Sequence, residues 1–131
     1  MATERVRQVV LGQVLMTSPV YIYTSGEGGA FFYETLERLV GDTEPPDVNE
    51  SSRVFDSTGR KYNLSVERGG FLRPCRTVAE RTEIVDPAQL RGVLVEYLDY
   101  LGFVDPLLHP AGDSESLDSL LARILARKPI R

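Results

Sequence analysis

The lone cysteine and the lone histidine of this chain are its best candidates for nucleophilic chemistry. Cys75 follows Arg73-Pro74 and precedes Arg76, and neighbouring guanidinium groups favour a thiolate and so activate a thiol. His109 would have to act as its base. Against this, no nucleophile motif surrounds Cys75 and His109 stands in a Leu107-Leu108-His109-Pro110 turn, so Cys75 is read as a small packing residue on a strand. A Ser-His-Asp arrangement would need the same histidine and lacks the Gly-x-Ser-x-Gly turn that presents a serine. No catalytic residue is assigned, and the reading leans away from an enzyme.

Metal chemistry is constrained in the same way. One His and one Cys cannot supply a four-ligand structural zinc or a three-histidine catalytic zinc. Asp42, Glu44, Asp47 and Glu50 lack the alternating spacing and central glycine of a calcium loop, and are read as solvating an exposed segment. Neither a metal nor a cofactor is expected.

Gly26-Glu27-Gly28-Gly29 follows a strand-like run and precedes residues at helical spacing, which is where backbone N–H groups cradle a phosphate. Its spacing departs from both common phosphate motifs. Phe31 stands three residues after Gly28, no Gly-Lys-Ser/Thr follows, and Glu27 would repel an anion. A small-ligand or nucleotide-binding protein, with or without enzymatic activity, is therefore kept as an alternative centred on Gly26 to Gly29 and on Tyr21, Tyr23, Thr24 and Ser25 beside them.

The charge map points elsewhere. Between Arg60 and Arg76 stand Arg60, Lys61, Arg68, Arg73 and Arg76 against Glu67 alone, with Tyr62 and Phe71 interleaved, while residues 42–56 are strongly acidic. Such a surface suits an acidic protein partner, or single-stranded nucleic acid stacked on the aromatics. The net charge of −4 and pI near 5.0 argue against a general polyanion binder, so nucleic acid ranks behind protein. Strand alternation would split the cations between two faces, and a solvated face with local ion pairs to the acidic segment is the competing interpretation.

The elements that must hold these residues can be traced along the chain. Residues 4–16 carry Val6, Val9, Val10 and Val14 without period-two alternation and read as a helix, with a doubly buried strand as the alternative. Val20 to Thr24 is β-branched and aromatic and reads as a strand. Phe32, Leu36, Leu39 and Val40 fall at helical spacing and predict a helix over residues 28–41. Residues 41–52 hold two prolines and four acids and read as an exposed acidic loop. Arg53 to Phe55 and Lys61 to Glu67 form an antiparallel hairpin, with Tyr62, Leu64 and Val66 on one face. Phe71 to Val85 holds one or two more strands, with Pro74 at a sheet edge or bulge.

Asp86-Pro87 opens a helix whose apolar stripe is Leu90, Val93, Leu94, Tyr97, Leu98 and Leu101, stopped by Gly102. Asp105 to Leu108 would begin a further short helical turn ended by Pro110. Leu117, Leu120, Leu121, Ile124 and Leu125 mark a last helix, with acids at its start, cations at its end and Pro129 as its stop. The sum is a single α+β domain over 1–131: a small antiparallel or mixed sheet of about four or five strands, with about three or four helices packed mainly on one face and two C-terminal amphipathic helices at the end.

No apolar run is long enough to span a membrane, the start Met-Ala-Thr-Glu-Arg lacks a secretory pattern, and a single cysteine suits a reducing compartment, so a cytoplasmic protein without membrane association is expected. The functional expectation is a non-catalytic protein–protein interaction module, such as an adaptor or an immunity- or inhibitor-like protein. Its candidate contacts are Arg60, Lys61, Tyr62, Phe71, Arg73 and Arg76, and self-association is left open.

Overall fold

In the computed structural model, residues 9–10, 13–14, 19–26, 29–128 and 130–131 are described. Strands β1 (Val9–Val10) and β2 (Gln13–Val14) form an antiparallel pair. This departs from the helix expected over 4–16, because β-branched valines favour extended backbone; the rest of that stretch lies outside the described residues. The main sheet comprises β3 (Tyr21–Thr24), β4 (Phe31–Tyr33), β5 (Arg53–Asp56), β6 (Arg60–Glu67) and β7 (Arg76–Val85). It is five-stranded and antiparallel throughout, in the order β4-β3-β5-β6-β7. Among the described residues three helices complete an α+β arrangement: α1 (Leu36–Asp42), α2 (Pro87–Val104) and α3 (Leu117–Leu125).

Alternation along the strands assigns the side chains to two cores. On one face Ile22, Phe32 and Phe55 pack with Leu90, Leu94, Tyr97 and Leu98 of α2 and with Leu120, Leu121 and Ile124 of α3. On the other, Tyr23, Tyr33 and Val54 surround Leu39 of α1, with Tyr21, Leu36, Tyr62 and Leu64 packed against them. The two longer helices thus share a face, and the short α1 covers part of the other.

The helix expected over 28–41 is corrected: its first part is β4, and α1 begins only at Leu36. The i, i+4 spacing of Phe32 and Leu36 was coincidental, since Phe32 belongs to the α2/α3 core and Leu36 to the opposite one. Aromatic strand propensity prevails because Phe31, Phe32 and Tyr33 pair with Tyr23, Ile22 and Tyr21. Thr35 then caps α1, its Oγ1 accepting from the Arg38 N–H at 3.1 Å. The acidic stretch that follows is mostly exposed around a 3₁₀ turn at Pro45–Asp47, although Thr43 is buried and its carbonyl accepts from Thr77 Oγ1.

Helix α2 starts where its residues prescribe, with Pro87 in its first turn and Asp86 Oδ1 accepting from Gln89 N–H at 3.0 Å. It continues through Gly102 to Val104, beyond the expected stop at Leu101. Pro106 ends it instead, because a residue before proline is pushed out of the helical region and Asp105 adopts φ −130°, ψ 88°. Residues 105–108 form a turn rather than a new helix, closed by Leu108 N–H on the Asp105 carbonyl. Ser116 caps α3, and Pro129, its expected stop, lies outside the described residues. No helix among the described residues is long and apolar enough to cross a membrane.

The β5–β6 turn is locked onto α2. Gly59 has φ +95°, and a Cβ there would stand 2.8 Å from the Cα and N of Pro87, too close for any side chain. Its carbonyl accepts from Asp86 N–H at 2.8 Å. Leu94, with no exposed surface, is at the centre of the α2 interface. Leu94→Ala is expected to cost about 2–5 kcal/mol. Gly59→Ala should cost more than about 1 kcal/mol despite adding only a methyl group. Denaturant melts measure both; a loss well under 1 kcal/mol for Leu94→Ala would show that α2 does not rest on the sheet as described.

Candidate functional site

The six candidate residues do not form one surface. In the β6–β7 ladder Arg60 pairs with Val85 and Glu67 pairs with Arg76, so Arg60, Lys61 and Tyr62 stand at one end and Arg76 at the other. Seven residue steps of extended chain separate the ends by roughly 23 Å.

At the first end the side chains serve the fold. Asp56 is buried, and its carboxylate accepts from the N–H groups of Thr58 (2.9 Å) and Arg60 (3.2 Å) and from the Tyr62 hydroxyl (3.1 Å). The Arg60 guanidinium is largely covered and donates to the Thr82 carbonyl at 2.9 Å, with Glu83 at 3.6 Å. Lys61 Nζ lies 6.0 Å from the centre of the Phe55 ring. Tyr62 meets Tyr21 edge-on at 5.7 Å. Burial pushes the Tyr62 phenol up to about 12, with the charge and hydrogen bond of Asp56 acting in the same direction.

The β6–β7 connection is built differently. Glu67 and Arg76 close the ladder with an exposed ion pair at 2.7 Å, and Arg73 N–H closes a turn on the Gly70 carbonyl at 2.9 Å. Gly69 permits this fold, because a Cβ there would strike the carbonyls of Arg73 and Pro74. Leu72 takes φ +65°, a costly conformation for a branched side chain. The outcome is a projecting tip on which Phe71 is 93% and Leu72 89% exposed, with Arg68, Arg73 and Arg76 also exposed around a cavity of about 320 Å³. Arg68, read in the sequence as part of the basic cluster, was not among the candidate contacts, and Leu72 was missed; the signal for Leu72 was an apolar pair, Phe71-Leu72, between Gly69-Gly70 and Arg73-Pro74.

Two further expectations change here. Pro74 lies in this connection rather than on a strand, and Cys75 is exposed in it rather than packed, because β7 begins only at Arg76. His109 belongs to the α2–α3 connection, where its carbonyl accepts from Arg123. Among the described residues the local ion pairs of the basic stretch are made with Glu67 and Glu83 of the same hairpin, not with the acidic segment.

Gly26 and Gly29 lie between the paired strands β3 and β4, so among the described residues a strand, not a helix, follows them. Glu27 and Gly28 lie outside the described residues; Gly26 has φ +89°, and Thr24 Oγ1 accepts from its N–H at 3.2 Å and donates to the Gly29 carbonyl at 2.7 Å. Beside this hairpin, on the α1 face, a cleft of about 450 Å³ is lined by Tyr23, Phe31, Tyr33, Asp42, Asp47 and Arg131. Tyr23 and Phe31 stack across the strands with centroids 6.4 Å apart. Burial pushes the Tyr33 phenol up, Asp42 adds to that, and Arg131 opposes it. Asp42 thus does more than solvate a loop, since it also stands beside Arg131 and the Tyr33 phenol.

The environment of Tyr62 has a measurable consequence. Its folded pKa is raised from 10.0 to about 12, so the stability it contributes is complete below pH 10 and is lost as pH rises through 12. Tyr62→Phe should remove one late-ionising phenol from an ultraviolet titration and weaken the alkaline fall in stability; an unchanged titration would dissociate Tyr62 from Asp56. Comparison of the chain with family models, curated proteins and solved structures finds no match.

Proposed function

We propose that this chain is a non-catalytic protein-interaction module of adaptor or inhibitor type, working in the cytoplasm and engaging a partner with an acidic surface through the β6–β7 tip. One observation carries the reading: two adjacent large apolar side chains, Phe71 and Leu72, are almost fully exposed between arginines. Covering either side chain completely is worth about 1.5–3 kcal/mol, a gain that the folded chain alone forgoes. Arg68 and Arg73 supply long-range attraction, while Arg76 is already engaged with Glu67. The strain at Leu72 supports the same reading, since strained backbone concentrates at sites of recognition. The long edge strand β7 continues directly from the tip, so a partner seated there would also meet its backbone.

The experiment is affinity capture followed by kinetics on the captured partner. Replacing Arg68 and Arg73 together by Glu should leave stability within about 0.5 kcal/mol, because exposed charges contribute little to folding. Association should slow markedly at low salt and less at high salt. Phe71→Ala should instead accelerate dissociation. Unchanged kinetics in both variants would remove the tip from the mechanism, and an affinity for single-stranded nucleic acid that collapses with salt would replace protein by nucleic acid as the partner.

A further inference from the structure

The opposite edge of the sheet carries a second site of opposite chemistry. Residue Arg131 is bound to β4 as a strand would be: its N–H donates to the Phe32 carbonyl and its carbonyl accepts from Glu34 N–H, each at 2.8 Å. Its guanidinium lies over the Phe31 ring, with Cζ 5.0 Å from the centroid, and its Nη1 stands 3.6 Å from Asp42 Oδ2. Tyr23 and Tyr33 extend the aromatic wall, and Asp47 adds a second carboxylate to the cleft. An aromatic face beside carboxylates is the environment that recognises a planar cation, and a paired strand edge is the one that recognises an extended backbone.

We infer that the β4 edge and this cleft form a binding site for an extended, arginine-bearing peptide segment of a partner protein, a site that Arg131 fills in the free chain. The contacts made by Arg131 show the chemistry the site accepts. They also show that it is replaceable: both Arg131 and Asp42 remain about half exposed, at 54% and 52%, and their separation is long for a hydrogen-bonded pair, so solvent screens the attraction. The cleft keeps about 450 Å³ of open space beside that guanidinium, room for a side chain presented from outside. Among the described residues lining this cleft, Asp42 and Asp47 face Arg131 as the one cation, with Arg38 beside Asp42 in the adjoining cavity, so removal or displacement of Arg131 leaves the cleft itself with two carboxylates beside an aromatic wall. This surface is separate from the β6–β7 tip, because β4 and β7 are the two opposite edges of the sheet.

The test uses two probes, N-acetyl-arginine amide and a blocked Lys-Pro-Ile-Arg peptide with the sequence of residues 128–131, titrated into the full chain and into Arg131→Ala while resonances of Phe31 and Tyr33 are followed. Arg131→Ala is expected to bind both probes about tenfold more tightly than the parent, a difference of about 1.4 kcal/mol, since the resident competitor is gone. Arg131→Ala frees the cleft but leaves the backbone of residue 131 on β4, so a further variant ending at Ile130 frees the Phe32 carbonyl and the Glu34 N–H. In that variant the peptide should bind more tightly than the amide because it adds backbone pairing to β4, and in every variant the lysine analogue of the amide should bind more weakly because it cannot stack as a plane. Adding Asp42→Asn or Phe31→Leu to Arg131→Ala should remove most of this gain; both positions are exposed, so the fold tolerates the change, as unaltered thermal melting will verify. Equal affinity in the parent and Arg131→Ala, no saturable shift in either, or binding indifferent to both second substitutions would overturn the site.

Discussion

Pairing of β3 with β5 through the middle of the sheet forces successive side chains into two separate interiors, and the remaining architecture answers that division. Ile22 stands opposite Phe55 on one face, and Tyr23 opposite Val54 on the other. A strand buried on both faces needs cover on both, which is why α2 and α3 occupy one side and α1 and the aromatic residues of β3, β4 and β6 the other. The two interiors also differ in kind. The α2/α3 side is mostly aliphatic, while the α1 side is rich in tyrosines whose hydroxyls reach carboxylates and the surface.

Asp56 ties this sheet to its helices. Its backbone pairs with Tyr21, its side chain gathers the donors of the β5–β6 turn and of Tyr62, and the turn it stabilises places Gly59 against the start of α2. A buried carboxylate without those donors would be costly, so the turn, the first residues of β6 and the cap of α2 are mutually dependent. Arg60, Lys61 and Tyr62 are thereby engaged in structural contacts, while Phe71 and Leu72 at the far end of the same hairpin stay exposed.

The two sheet edges are managed in different ways, and the proposed sites follow from it. On β4 the backbone is satisfied by Arg131, while no other described strand pairs with the outer side of β7. Edge strands invite pairing, and proteins restrain it with charges and bulges. β7 carries Arg76, Glu80, Arg81 and Glu83, and its register with β6 shifts between Arg60 and Tyr62, where Thr82 Oγ1 accepts from Ile84 N–H and donates to the Lys61 carbonyl. The shift confines regular ladder to the half of β7 that adjoins the Phe71 tip. A cationic, apolar projection thus stands at one edge and an aromatic cleft lined by two carboxylates at the other.

Legibility in the sequence followed the range of the interaction responsible. Asp86-Pro87 determined where α2 begins, the apolar stripe from Leu117 to Leu125 determined α3, the alternation from Lys61 to Glu67 determined a strand, and Asp56 with Gly59 determined a turn, since each works through neighbours a few residues apart. Phe31 to Tyr33 misled because helical and extended readings of three aromatics differ only in their partners, and β3 was the partner that decided. The end of α2 misled because a stopping glycine and a stopping proline stood close together. Candidate cations were visible as a cluster along the chain, yet the ladder register separated Arg60 from Arg76, and Arg131 reached Phe31 and Asp42 from far along the sequence. Composition and local spacing therefore determined the α+β class and the elements whose signals are local, whereas only the tertiary structure decided that Phe31 to Tyr33 are a strand and which charges share a surface, because strand partners and residues far apart in the chain are brought together by packing that no local pattern encodes.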